Sequence, residues 1–425
     1  MERISNMLKR VITVIAAVAV LLTACSCGIT DNADNDAVQY SAEADVSEAP
    51  AEETEIVEKS EDSEMNTVEY DYTYSEISYW DYSGMKAMMK TQAKSSVDFE
   101  AFIHSPEGKD CIVSLVNSGI YGTIDGDANI RYCESIGMRV ELHDKEEEAQ
   151  QWASYTPLSA QENPERIYPV LFVWHGSTNS IALTQFYGFL ELAAEREWIV
   201  VIPWADNDAI YLEETDRIMN ILRDNYPIDE NRIYTTGFSL GGRASAHLAQ
   251  ERSDIFAAAA PCGVAADAHF YTGSDGEIHW SADTLEGLPW FEDGIISEEE
   301  AAAAIPVQFF GASWDPYGAM PYNSEDKIEA VNLWLQLYGL EPNQSLELSK
   351  TLRSESKNDT ERFTGLKFDI AYTEQKYDET NCIGIFGDEE DCVFRIICSP
   401  DGIHWPTKAM CEYVVEFLER FSKKA

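Results

Sequence analysis

The chain has 425 residues, enough for one large domain or two with a deep core. It carries 76 Asp and Glu against 30 Lys and Arg, a formal net charge of −46. Such a field repels phosphate backbones, so nucleic acid is excluded as a partner.

The first residues, MERISNMLKR, hold Arg3, Lys9 and Arg10 ahead of the apolar run VITVIAAVAVLL, which is short for a bilayer span. LTAC follows, Leu22 to Cys25, and small residues before a Cys at the end of such a run resemble the bacterial lipoprotein signal. That resemblance implies a signal peptide over 1–24 and a lipid on Cys25. The protein is then extracytoplasmic and anchored to the bacterial cell membrane. An ordinary secretory signal cut nearby is the alternative, and it also exports the chain. Residues 25–70 are rich in Asp, Glu, Ala and Ser and nearly free of large apolar side chains. They cannot bury enough surface to fold, so they read as an extended, disordered acidic tether.

Residues 71–135 read as a small N-terminal extension with one short strand, and 136–425 as the catalytic domain. GMRVELHD and QWASYTPL have the alternation of paired edge strands. YPVLFVWHG, residues 168–176, is a continuous apolar run ending in Gly, which suits a strand buried on both faces. A helix over LTQFYGFLELAAERE, the strand WIVVIPWA, the helix EETDRIMNILRDNY, the strand NRIYTTGF and the helix GGRASAHLAQERS come next. IFAAAAPCG, IPVQFFGAS and DCVFRIICSP are three further apolar runs, and TKAMCEYVVEFLERF is a terminal helix. Strand–helix alternation of this kind predicts an α/β fold with a mostly parallel sheet and helices on both faces.

YTTGFSLGG, residues 234–242, places Ser239 between a buried strand and a helix, in Gly-x-Ser-x-Gly spacing. That is the setting of a nucleophile elbow. Gly237 and Gly241 permit a sharp turn, and Gly242 permits close packing of the helix on the sheet. A phosphate-binding loop would want a Walker-type Lys after the glycines, and Arg243 does not fit that spacing. A serine nucleophile needs a base oriented by an acid, in the chain order Ser, Asp or Glu, His. Among the seven histidines only His404 follows the last predicted strand. Asp315, just past the penultimate strand, is the acid, and Asp326 is its competitor at the start of a helix, where it reads as a cap. The oxyanion hole takes the N–H of Leu240 and that of Ser177 in VWHGSTNS, with His175 shaping the loop.

VWHGS, REWIVVIPWA, YPIDENRIYTTGFSLGG, DIFAAAAPCG, IPVQFFGASWDP and GIHWP follow one another as in secreted α/β-hydrolase esterases. The group they resemble is that of polyhydroxybutyrate depolymerases and feruloyl esterases, and the resemblance covers 136–425. It implies the α/β-hydrolase fold, Ser239, Asp315 and His404 as triad, and no cofactor. Two features depart from the group: Phe310-Gly311 stands where those esterases often have His-Gly, and His404 is adjacent to Trp405.

No His/Cys spacing resembles a zinc site, so no metal is expected. Eight cysteines besides Cys25 permit disulfides in an exported protein, and Cys382 and Cys392, flanking CIGIFGDEEDC as a short loop, are the first pair to consider. Residues 265–304 form an insertion carrying Phe270, Tyr271, Trp280, Trp290 and Phe291, with His269 and His279 among them. It leaves the sheet near the nucleophile, so Trp280 and Trp290, with His175, are candidate substrate contacts. Flat aromatic faces suit sugar rings or an aromatic acyl group. The expected activity is hydrolysis of short or aromatic acyl esters on carbohydrate. A peptidase on the same fold and a catalytically silent binding lipoprotein are the competing readings.

Overall fold

The computed structural model describes residues 124–423, apart from 147–149, 164, 177–180, 186, 205–210, 267–268, 273–277, 282–297, 315–321, 323–324, 344–357, 378 and 404–405. All belong to the larger of two units into which the chain divides, Tyr72–Ala425. The leader and tether read for 1–70, Cys25 included, and most of the extension read for 71–135 lie outside the described residues.

In chain order, helix α1 (Asp127–Ser135) precedes the paired strands β1 (Met138–His143) and β2 (Trp152–Pro157), a single turn α2 (Ser159–Glu162) and β3 (Tyr168–Trp174). Helices α3 (Ile181–Gln185) and α4 (Phe189–Glu195) lead to β4 (Ile199–Pro203), α5 (Tyr211–Asn225) and the long strand β5 (Ile228–Phe238). Then come α6 (Leu240–Glu251), β6 (Ala258–Cys262), a separate ribbon of β7 (His269–Thr272) and β8 (Ile278–Ser281), α7 (Glu298–Ala303) and β9 (Val307–Trp314). Helices α8 (Glu325–Leu337) and α9 (Thr360–Thr364), strands β10 (Ile370–Lys376), β11 (Glu379–Phe386) and β12 (Phe394–Ile403), and α10 (Lys408–Leu418) complete it.

Ten strands form one sheet in the order β1-β2-β4-β3-β5-β6-β9-β12-β11-β10. From β4 through β12 every neighbouring pair is parallel, while β2 and β11 run against their neighbours. This is the α/β-hydrolase arrangement, extended beyond β12 by the antiparallel pair β11 and β10. The apolar run of β3 explains itself here: Val170, Phe172 and Trp174 enter the core on one face, and Leu171 and Val173 enter the core on the other. Helices α5, α6 and α8 close the first core, and α4 and α10 close the second. Each large apolar side chain so buried is worth about 1.5–3 kcal/mol, so a doubly covered strand needs no polar alternation.

Three local readings change. The helix expected over 183–197 is two short helices, because Gly188 adopts φ 104 between them, outside the helical range. Helix α1 lies in the segment assigned to the extension, yet Cys133 is fully buried in the second core and the Asn129 amide donates to Gln185 at 3.1 Å. Finally, CIGIF belongs to strand β11 and does not form a loop. Cys382 enters the first core and Cys392 the second, on opposite faces of the sheet, so no disulfide joins the two.

Candidate active site

Parallel strands deliver their C-terminal ends to one edge of the sheet, where ligands sit in open α/β folds. At that edge β5 ends in Phe238 and α6 begins at Leu240, leaving Ser239 alone to turn the chain. Ser239 has φ 58 and ψ −116, a conformation that L-residues avoid, and it is 8% exposed. The turn is clamped from both sides: Ser239 N–H donates to Cys262 O at 2.9 Å, and Arg243 N–H donates to Ser239 O at 3.1 Å.

The surrounding glycines leave room only for hydrogen. A Cβ on Gly237 would stand 2.4 Å from Gly241 O, one on Gly241 2.1 Å from Trp174 O, and one on Gly242 2.3 Å from Cys262 O. Each contact is to backbone, which cannot swing aside. Together they draw α6 against the ends of β3 and β6 and aim its N-terminus at the edge where Ser239 emerges. The N–H of Leu240, first residue of α6, has no acceptor within the helix, so it is positioned to serve a developing negative charge.

The loop after β3 is held by two bonds. His175, 3% exposed, donates from Nδ1 to Gly176 O at 2.7 Å, which fixes its tautomer, and Gly176 N–H donates to the Tyr187 hydroxyl at 2.9 Å. The Tyr187 ring meets Phe238 edge-on at 6.1 Å, and the Tyr187 carbonyl accepts from Cys411 Sγ at 3.0 Å. One tyrosine thus ties the loop after β3 to the strand that ends at Phe238, next to Ser239. No motif marked Tyr187 in the sequence. Ser177, the predicted donor, lies outside the described residues.

Strands β9 and β12 are neighbours, and their last residues are in register, Trp314 with Ile403. Asp315 and His404 are the next residue on each chain. Both lie outside the described residues, but the strands that lead to them end side by side. Strand β12 spends four steps between Ser399 and Ile403 where β9 spends two between Ala312 and Trp314. A bulge of this kind re-aims the chain at a strand end. Gly402 is required in it, since a Cβ there would lie 2.8 Å from Ser399 Cβ and 2.9 Å from Ala312 Cβ. Asp326 is the second residue of α8, so it lies at the helix start as read but inside the first turn and not at the cap position.

Strand β11 starts at this same edge with Glu379, a buried carboxylate that accepts from the Thr407 hydroxyl at 3.1 Å. Thr407 also caps α10 by accepting from Met410 N–H at 3.2 Å, so the chain just past His404 is anchored twice. Glu379 gave no signal in the sequence. Nearby, burial pushes the Cys262 thiol up to about 12, so it stays protonated at neutral pH. In the insertion, β7 lies against α6, with Phe270 in register with Trp280 and Tyr271 with His279. Trp290 lies outside the described residues.

No family model matches the chain. Feruloyl esterase D of Neurospora crassa is 30% identical over 112 residues, covering 22% of this chain and 38% of that protein. This chain thus spans less than two-thirds of the length of the curated relative it matches. Among solved structures, acetyl xylan esterase from Aspergillus awamori is 14% identical with TM-score 0.39, over 66% of this chain and 99% of that one. A thermostable esterase is 15% identical with TM-score 0.37, over 68% of this chain and 64% of that one. The chain folds as an α/β-hydrolase and resembles the esterase group that its motifs indicated.

Proposed function

We propose that this protein is an exported serine carboxylesterase that cleaves short or aromatic acyl esters carried on carbohydrate. The observation that carries the reading is the conformation of Ser239: a non-glycine residue at φ 58, between a strand end and a helix start, clamped by glycines that tolerate no Cβ. Strain of this kind costs on the order of 1–3 kcal/mol and persists where a function uses it.

The chemistry follows. Ser239 Oγ attacks the ester carbonyl as His404 takes its proton, and Asp315 holds the imidazole in the required tautomer. The tetrahedral oxyanion receives the N–H groups of Leu240 and Ser177, each donor contributing about 10²–10³ in rate. Collapse breaks the bond to the alcohol oxygen, which leaves with the proton from His404, and the acyl group stays on Ser239. Water then attacks the acyl-enzyme with His404 again as base, releasing the acid and restoring the serine.

Ser239→Ala is expected to abolish turnover of a chromogenic acetyl ester with the fold retained, and His404→Ala to do nearly as much, because triad members act as a unit. Near-parental turnover by the Ser239 variant would overturn the reading. For the substrate, the named activity of the Neurospora crassa relative and the aromatic residues of the insertion, Phe270 and Trp280 in register, both support acyl-carbohydrate. A panel of acetyl, feruloyl and long-chain acyl esters is expected to rank the first two above the third by kcat/KM. Preference for the long chains would exclude this substrate class.

A further inference from the structure

A second pocket lies away from Ser239, on the face of the edge strands β1 and β2 below the C-terminal end of α5. Its volume is about 420 Å³, within the range of small-molecule sites. Residues directly opposite in an antiparallel pair share a face, and three such pairs make this one: Arg139 with Thr156, Glu141 with Ser154, and His143 with Trp152. A sheet face beneath a helix ordinarily carries apolar side chains. The reverse face of the same two strands does so, with Met138, Ala153 and Tyr155 buried in the second core.

His143 and Tyr226, which line the pocket, belong to a closed polar ring completed by the buried Ser154. His143 Nε2 lies 2.9 Å from Ser154 Oγ and 3.2 Å from the Tyr226 hydroxyl, and those two oxygens are 3.1 Å apart. Ser154 is 1% exposed, and the His143 ring is stacked on Trp152 at 3.8 Å. These contacts hold the imidazole with Nε2 turned into the ring. Nδ1 has no partner among the described residues. Burial lowers the His143 pKa, so the ring is neutral at neutral pH. Around this ring Arg139 supplies donors, Glu141 supplies acceptors, and the exposed amides of Gln161 and Asn225 supply both.

We propose that this pocket is a second binding site and that its ligand is a neutral saccharide chain. A sugar hydroxyl both donates and accepts, as does this lining. Arg139 and Glu141 offset each other at 3.6 Å, and the whole chain carries a formal −46, which disfavours an anion. The site is separate from Ser239 and holds whether or not the ester reading is correct.

The test is isothermal titration of xylohexaose, cellohexaose and a galacturonate hexamer into Ser239→Ala protein. At least one neutral hexaose is expected to bind and the acidic one not. Glu141→Ala/Asn225→Ala in the same background is expected to weaken binding about tenfold or more, as loss of two or more hydrogen bonds requires. The same pair with Ser239 intact should turn over a small soluble ester within about twofold of parent, as additivity between distant sites requires. Arg139→Ala/Gln161→Ala, also exposed, guards against a fold defect in the first pair, and both pairs are checked by their melting temperatures. No binding by any neutral hexaose, unchanged affinity in both folded pairs, or tighter binding of the galacturonate hexamer would each overturn the proposal.

Discussion

Ser239 shows how one residue can carry two constraints that oppose each other. Its φ of 58 is unfavourable for a side chain with a Cβ, and glycine would relieve it. On the proposed reading the hydroxyl is the reason a serine stands there, and the conformation is held by the bonds of its N–H to Cys262 and its carbonyl to Arg243. The acid is argued the same way, from position. Asp315 follows Trp314, whose register partner Ile403 precedes His404, whereas Asp326 lies in α8, eleven residues farther on. Asp315→Asn is expected to lower kcat by about ten-thousand-fold through the wrong histidine tautomer, the precedent set by a serine protease triad. Asp326→Asn should cost little beyond the interaction of a first-turn carboxylate with the α8 dipole, about 1 kcal/mol or less. Steady-state kinetics of both variants decide, and the reverse ranking would reassign the acid.

Helix α6 and the three strands around it depend on close backbone approach, which makes their glycines more telling than their apolar residues. By helix propensity alone Gly241→Ala should stabilise α6 by about 1 kcal/mol. The new Cβ would sit 2.1 Å from Trp174 O and 2.8 Å from His175 O, so helix and strand must separate. We expect the clash to win, with a net loss of about 3 kcal/mol or more and a melting temperature lower by roughly 10 °C. An unchanged melting temperature would mean that α6 does not approach β3 this closely. This element was readable from sequence because its requirements are local: the Gly-x-Ser-x-Gly spacing and the strand and helix patterns all fall within residues 231–253. The two strands that end side by side just before Asp315 and His404 were readable too, since each is an apolar run. Strands β10 and β11 were not, and CIGIF passed for a loop because Gly384 interrupts it and DEED follows. The ring of Phe368, which a Cβ on Gly384 would strike at 2.2 Å, supplies the missing packing from a distant segment. Tyr187 and Glu379 escaped for the same reason: their partners, Gly176 and Thr407, are 11 and 28 residues away.

For the molecule as a whole, the N-terminal sequence motivates a proposal that goes with the proposed hydrolase: a lipid anchor at Cys25 followed by an acidic spacer. The sheet and its two cores are built from described residues within 124–423, while the spacer proposed for 25–70 contributes acidic residues and almost nothing apolar. An extended spacer, as self-repelling charge favours, would suit the proposed hydrolysis of an ester on a polymer outside the cell. The anchor assigned to Cys25 makes this testable in cells. One acyl chain binds a membrane weakly and reversibly, whereas the several chains of a processed lipoprotein hold firmly. In a bacterial host with lipoprotein processing, the parental protein should therefore sediment with membranes and leave them on detergent extraction. Cys25→Ser should appear in the soluble fraction or persist as the unprocessed, longer chain, with esterase activity per folded molecule unchanged in either case. Mass spectrometry of the parental N-terminus should find the lipid on residue 25. A parental protein that is fully soluble and cut elsewhere would replace the anchor with plain secretion, and would leave the chemistry assigned to Ser239 untouched.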